Sequence, residues 1–433
     1  MSAAGPSNYS FFQIRKPKSG LEVRIEGKIL GFNYYESLYS PMVTGSLVLE
    51  DTGGSVEDEK TGILGTIKDG MKISGFEEVS FQISTRYGEL NFKNYPLIVT
   101  GSPSNFDLPN RQTILLNMVS KTKIDSSKKP LTRNYPEAPI SDTVTKILNK
   151  ELKISEDKLN IEKTKNQDKI KGNHLGALDC ILKMCKKSIP AEGKDPGYFF
   201  FETQQGFRFK SIDSLIRNEP FDTKYTYAPG IIDSNDGSKD FKILEFSTSK
   251  NQNLLENLER GAYCSHRIYL NPLTFEYTAA SQRIFKLDDY SGKIENLGED
   301  IDVVLPSLSE KDSRTLASVP SRYVCGILDI GTTDTKVSEL GNADPARIHS
   351  QSMMRYNTLF TQILTMTIPL NTNLMAGDIL ECEFPRIDVE DRKEPDQEQS
   401  GLYLIKKLTH FFNAEGSYTK LQLCRDTDGR KAK

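Results

Sequence analysis

Leu374-Met375-Ala376-Gly377-Asp378-Ile379-Leu380-Glu381-Cys382-Glu383-Phe384 reads as a turn that runs straight into a strand. Side chains alternate along a strand, so Leu380, Cys382 and Phe384 share one face and Ile379, Glu381 and Glu383 the other. A charged loop follows from Ile387 to Ser400, with Asp388, Glu390, Asp391, Glu394, Asp396 and Glu398 against Arg392 and Lys393. Leu402 to Phe412 then reads as a longer strand. Asn413-Ala414-Glu415-Gly416-Ser417 is a hairpin turn in which Gly416 can take positive φ. Tyr418 to Arg425 returns with Thr419, Leu421 and Leu423 on one face and Lys420, Gln422 and Cys424 on the other. The expectation is an antiparallel meander with one wet face.

Upstream of this stretch, Pro345 to Phe360 has a helical spacing (Ile348, Gln351, Met354, Arg355, Leu359), and Ile363 to Ile368 leads as a strand into the meander. Further back, Gly197-Tyr198-Phe199-Phe200-Phe201-Glu202-Thr203 is an aromatic strand. A Gln204-Gln205-Gly206 turn, an alternating strand and a short helical turn at Ile212 to Ile216 complete that unit. Two amphipathic helices precede it. One opens at Pro139-Ile140-Ser141-Asp142 with Val144, Ile147, Leu148 and Leu152 on one face. The other runs from Asn173 to about Ser188 with Leu175, Leu178, Ile181, Leu182 and Cys185 as its stripe, closed by Pro190. The Lys- and Glu-rich run Ser155 to Lys171 between them reads as a solvated face or loop.

Residues 9–124 read as short strands separated by turns, among them Val23 to Phe32, Gly45 to Glu50, Met71 to Ser74, Val79 to Ser84, Leu97 to Thr100 and Thr113 to Val119. That pattern suits a barrel or sandwich. Lys121 to Pro136 reads as a polar linker. Lys242 to Phe246 and Ala262 to Leu270 are further strands, and Lys286 to Thr315 is a polar, acidic arm or insertion.

At 433 residues the chain has room for about three domains. The net charge of −3 gives no overall basic field for nucleic acid, although patches remain open. No apolar run approaches the roughly 18–20 residues of a spanning helix. With no export leader, the six cysteines are expected to be buried free thiols in a chain that folds in a cytosol.

Few motifs carry chemistry. Asp329-Ile330-Gly331-Thr332-Thr333 resembles the phosphate-cradling turn of sugar kinases and actin-like ATPases. Only about a hundred residues follow it, and they read as meander rather than alternating strand and helix, so a plain surface turn accounts for it. Cys180 and Cys185, five apart on a helix, point about 140° from each other and cannot easily share a metal. Cys264 and His266 share a strand face with no second pair nearby. There is no Gly-x-Ser-x-Gly elbow, Walker loop or His-Glu-x-x-His. The reading assigns no catalytic, cofactor-binding or metal-binding residues.

Three segments together resemble one family. The closing meander supplies Ala376-Gly377-Asp378, Leu380, Cys382, Phe384, Tyr403, Ile405, Leu408, His410, Phe412, Thr419, Leu421, Leu423, Arg425 and Asp426. The Tyr198 to Ile216 unit follows an amphipathic helix, and Ser37-Leu38-Tyr39 precedes Gly45-Ser46-Leu47. Position, order and chemistry resemble the baseplate central hub proteins of contractile-tailed bacteriophages, related to the tube-domain base of type VI secretion spikes.

The resemblance implies a mainly β chain with an α+β insertion. It carries two similar β-barrel tube domains, at 9–124 and 219–426, and a helix-containing domain at 125–218. An insertion falls at about 286–340, and residues 427–433 are a tail. It further implies a homotrimer forming a pseudo-six-fold ring in the virion, with the tail tube above, the central spike below, other baseplate proteins around it and DNA passing through its lumen. No stable membrane insertion and no cofactor are expected. On that footing Glu381 and Glu383 are candidate lumen-facing residues. Asp388, Glu390, Asp391, Glu394 and Asp396 are candidates for contact with partner proteins. The alternatives are a tail-associated hydrolase, an ATPase using the Asp329 turn, and a receptor-binding adhesin.

Overall fold

The computed structural model describes residues 8–57, 62, 64–102, 105–108, 111–192, 196–227, 241–250, 254–271, 274–286, 296–298, 307–309, 312–315, 318–327, 345–386, 394–413 and 416–426. The first part holds β1 (Asn8–Arg15), β2 (Glu22–Arg24), β3 (Ile29–Ser37), β4 (Thr44–Asp51), α1 (Ile67–Met71), β5 (Glu78–Thr85), β6 (Leu97–Gly101) and β7 (Arg111–Ser120). The middle holds α2 (Lys121–Lys128), β8 (Asn134–Pro139), α3 (Ile140–Lys146), β9 (Leu159–Ile161), β10 (Gln167–Lys171), α4 (Ala177–Cys185), β11 (Tyr198–Thr203), β12 (Gly206–Ser211) and α5 (Ile212–Ile216). Then come β13 (Tyr225–Thr226), β14 (Glu245–Lys250), α6 (Leu254–Arg260), β15 (Cys264–Leu270), β16 (Ile284–Lys286) and β17 (Arg322–Ile327). The chain closes with α7 (Pro345–Thr358), β18 (Gln362–Pro369), β19 (Ile379–Glu383), β20 (Gly401–Asn413) and β21 (Ser417–Arg425).

A single fifteen-stranded sheet joins the two ends of the sequence, in the order β14-β18-β21-β20-β3-β4-β7-β6-β5-β1-β2 along its main path. Its seam is β20 against β3, where His410 faces Tyr34 and Phe412 faces Phe32. One edge of β20 serves two partners, Gly401 to Leu404 pairing with β19 and Lys407 to Asn413 with β3, while β21 pairs along the other edge. A bulge between Ile405 and Lys407 marks the change, as an extra residue bends a strand and turns its pairing edge. The sheet curls back on itself. Phe12 of β1 meets Phe32 of β3 with ring centroids 5.3 Å apart, although four strands separate them on the ladder.

Two five-strand sets lie on either side of that seam. In space one runs β3-β4-β7-β6-β5 and the other β14-β18-β21-β20-β19, every neighbouring pair antiparallel. In each set the last three strands of the chain order stand reversed in space. The main apolar core runs under both sets, from Phe12, Phe32 and Phe81 to Leu364, Leu408 and Leu421. A second core belongs to the middle segment, where α3 and α4 pack Ile140, Val144, Ile147, Leu178 and Ile181 on Phe200, Phe207 and Phe209 of the β11–β12 hairpin. A third joins the two: Phe199, Phe201, Ile212 and Leu215 meet Leu38, Leu359, Ile379, Leu404 and Cys424.

That third core corrects the reading of the meander. Ile379, Leu404 and Cys424 are buried under the aromatic hairpin, while Glu381, Glu383, Lys420 and Gln422 on the same face stay in contact with water. Other expectations shift for local reasons. Met71 to Ser74 is not a strand; Met71 ends α1, and Lys72 takes a left-handed conformation. Val23 to Phe32 is broken by a turn at Glu26–Lys28. The polar stretch after Lys121 forms α2, whose buried Ser126 accepts the Leu178 N–H at 3.1 Å. The run Ser155 to Lys171 contains β9, parallel to β12, and β10, antiparallel to β8. The second helix starts late, at Ala177, because Asn173 and His174 are left-handed. Five cysteines are buried free thiols, but Cys325 on β17 is exposed. No described helix is long and apolar enough to cross a membrane.

Candidate functional site: the junction of hairpin and sheet

The hairpin β11–β12 reaches the sheet at the seam, and buried and half-buried charged groups gather there. Glu36 on β3 is buried. Its carboxylate accepts the Tyr34 hydroxyl at 2.7 Å, the Gln204 N–H at 2.7 Å and the Ala376 N–H at 2.9 Å. One side chain thus collects donors from its own strand, the hairpin tip and the turn before β19. Burial pushes its pKa up to about 7 against the opposing pull of those hydrogen bonds. Glu202 on β11 accepts the Val43 N–H at 2.9 Å. Burial, with the nearby Glu36 adding to it, likewise raises Glu202 to about 7.

The Gly377 turn is fixed from both sides. Its N–H donates to the Ile405 carbonyl at 2.9 Å, and the Ile405 N–H donates to the Asp378 carbonyl at 2.9 Å. Asp378 accepts the Met375 N–H at 2.9 Å and faces Arg208 at 3.4 Å. Burial raises the Asp378 pKa and Arg208 opposes the rise. Gly377 has φ +89°, and a Cβ there would sit 2.9 Å from Phe201 Cζ. Only glycine satisfies both the turn and the close approach of the hairpin.

Two arginines tie the remaining elements. Arg355 of α7, its side chain 2 % exposed, bridges Asp213 of α5 at 2.9 Å and Asp426 at the end of β21 at 3.0 Å. Arg425 donates to the Ser400 carbonyl at 3.1 Å, bonds Gln362 and the Glu398 carbonyl, and lies over the Tyr403 ring. Losing one member of such a buried set strands the other charge, at about 3–5 kcal/mol. His410, held neutral by burial with its pKa pushed down to about 3, shares a 2.9 Å hydrogen bond with Thr419.

Chemically this is a clamp of saturated acceptors. Its carboxylates are occupied by backbone N–H groups and guanidinium, and no nucleophile stands beside a free base. A polar cleft of about 450 Å³ lies near α5, lined in part by Glu162, Glu192, Asp213 and Arg217. Glu162 there already accepts the Ser211 N–H and hydroxyl at 2.7 and 3.0 Å. Among the described residues no three His, Cys, Asp or Glu gather as metal ligands.

The residues singled out from sequence lie elsewhere. Glu381 and Glu383 sit on β19, each side chain 27 % exposed and each paired with Lys224. Glu394 pairs with Arg386 at 3.6 Å, and Asp396 caps a turn by accepting the Glu398 and Gln399 N–H groups. Asp388, Glu390, Asp391 and the Asp329 turn lie outside the described residues. Cys180 and Cys185 are in the second core, and His266 lies tilted against Tyr323 with ring centroids 4.9 Å apart. Sequence reasoning missed Glu36 and Glu202. The available signal was a carboxylate at an inward position of an otherwise apolar strand, which no core leaves unbonded.

No family model matches this chain, and no curated protein does. Solved structures do. A tail protein from Neisseria meningitidis superposes with a TM-score of 0.52 at 9 % identity, over 96 % of each chain. The 43 kDa tail protein of prophage MuSo2 from Shewanella oneidensis gives 0.51 at 8 % identity, over 96 % of this chain and 98 % of its own. The chain has the fold of a phage tail protein. At such identity the tail-protein fold is preserved by core pattern rather than by particular side chains, since cores tolerate wide apolar substitution when volume and patterning are kept.

Proposed function

We propose that this chain is the structural hub of a contractile-tail baseplate in the virion. Three copies form a ring that adapts the six-fold tail tube to the three-fold central spike, and the ring lumen is part of the channel for DNA. The observation that carries the reading is the pair of five-strand sets with one chain order and one spatial order. It favours two tube domains per chain, the first within 9–124 and the second within 219–426, with the α+β unit at 125–218 docked between them. Three such chains supply six similar units under three-fold symmetry.

The function is mechanical, with no turnover of substrate. Residues Asp388, Glu390, Asp391, Glu394 and Asp396 face neighbouring baseplate proteins, and Glu381 and Glu383 face the lumen, where negative charge keeps a passing polyanion from sticking. Sedimentation equilibrium of the purified chain tests the assembly. A mass of three chains is expected, and a monomer at every concentration would remove the ring.

A further inference from the structure

The small sheet β16-β15-β17 carries large apolar side chains on both faces. Its strands β15 and β17 run parallel, and parallel strands belong to sheets covered on both sides. One face meets that rule: Ser265, Arg267, Tyr269 and Phe285 are buried. The other does not. Its register stacks the side chains in three ranks, first Ile284, His266 and Tyr323, then Ile268 and Cys325, then Tyr277, Leu270 and Ile327. Tyr323 is 70 % exposed, Ile327 68 %, Tyr277 61 % and Ile284 44 %. Cys325 is exposed as well, while His266, Ile268 and Leu270 are half-buried.

The turn that joins Leu270 to Tyr277 adds Phe275 at the end of this sheet. Its φ of +57° is a left-handed conformation that bulky residues rarely adopt, and its side chain is 79 % exposed. Scaled by exposure, the three aromatic rings and two isoleucines leave roughly 600 Å² of side-chain surface open. Apolar patches beyond a few hundred Å² mark contact sites. A standard interface takes about 800 Å² from each partner, and the half-buried members of the ranks supply much of the difference.

We propose that this face is buried against a second copy of the chain. Three observations select that occupant. The open area is close to what one partner contributes to a stable interface. None of the positions in the three ranks holds a carboxylate, ammonium or guanidinium, and Lys286, opposite Cys264, stands at the rim. An uncharged centre with a polar rim is the make-up of contacts between copies of one chain, which resemble a core cut in half. A foreign partner would be selected by charge, and this face offers none. The inference rests on the reading above in that copies of the chain assemble. In a closed three-fold ring such a contact joins two different surfaces of neighbouring copies.

Thiol alkylation of the full chain under native conditions, read by peptide mass and paired with sedimentation equilibrium, tests this. Cys325 alone of the six cysteines is exposed, so it reports on the face directly. The double variant Tyr323→Lys, Ile327→Lys alters only exposed side chains, and its circular dichroism should match the wild type. The wild type is expected to sediment as several chains and the variant as one. Cys325 should react about ten-fold faster, or more, in the variant, since a thiol closed off by a contact reacts only while that contact is open. A wild-type assembly with Cys325 fully reactive, or a variant that assembles as the wild type does, would overturn this inference and leave the ring standing. Slow reaction in the variant would do the same, because the chain itself would then cover the face. A dimer with Cys325 protected would remove the ring and keep the contact. A wild-type monomer would remove both.

Discussion

Glu36 carries two opposing demands: three elements need its oxygens as acceptors, and its burial disfavours its charge. Its folded pKa of about 7 lies above the ordinary carboxylate value, so the folded state holds the proton more tightly than the unfolded chain. The same holds for Glu202. Stability should thus be highest near pH 5, fall as pH rises toward 7, and level off above it; Asp51, whose pKa is lowered by its bonds to Lys28 and backbone N–H groups, acts only at lower pH. Thermal melts at pH 5, 6, 7 and 8 check this. The double variant Glu36→Gln, Glu202→Gln should remove this fall and leave the opposite trend of His410, which stays neutral in the fold and takes up a proton on unfolding below about pH 6.5; a wild-type profile that rises with pH would contradict the prediction. At the turn, Gly377→Ala combines a left-handed φ with a clash on Phe201. It should cost about 1–3 kcal/mol in denaturant unfolding, and an unchanged midpoint would mean that the hairpin does not press on the turn.

At the scale of elements, strong alternation and helical spacing made β4, β5, β7, β11, β12, α3 and the closing meander legible in sequence. What stayed hidden depended on partners far along the chain. Lys121 to Lys128 looks like linker because it has little apolar content, and Ser126 becomes a core residue only when α4 supplies Leu178. One end of the wet face of β19 and β21 becomes dry because an aromatic hairpin far upstream covers Ile379 and Cys424. The loop after β19 divides similarly. Its far end is structural: the Glu398 and Ser400 carbonyls receive Arg425, and the Asp396 N–H donates to the Phe384 carbonyl. Deleting 388–393 alone should leave the melting temperature within a few degrees and impair incorporation into particles. A collapse of the fold would show that this segment is structural instead. Asp329→Ala should leave assembly and infectivity intact. ATP hydrolysis by the wild type that disappears in this variant would contradict the mechanical reading.

At the scale of the whole molecule, one sheet is continuous through the chain yet internally repeated. In the sequence, Tyr95–Thr100 and Gln112–Met118 resemble Tyr403–Leu408 and Tyr418–Leu423; these segments fall on β6 and β7 and on β20 and β21, which occupy matching places in the two sets. Gly70-Met71-Lys72-Ile73 matches the Gly-led start of β19 in sequence, yet the strand in the place of β19 in the first set is β5. Period-2 patterns cannot tell one strand from the next, so the pairing order emerges only from the fold. A rotation about a channel axis preserves strand direction, and the two sets meet that condition because an even number of antiparallel steps separates equivalent strands. Cryo-electron microscopy of the purified protein measures this directly. A three-fold ring with an open centre is expected, in which the β3–β7 set and the β14, β18–β21 set alternate as six similar units around the axis. A compact particle without a channel, or a ring whose wall is built from only one of the two sets, would contradict it.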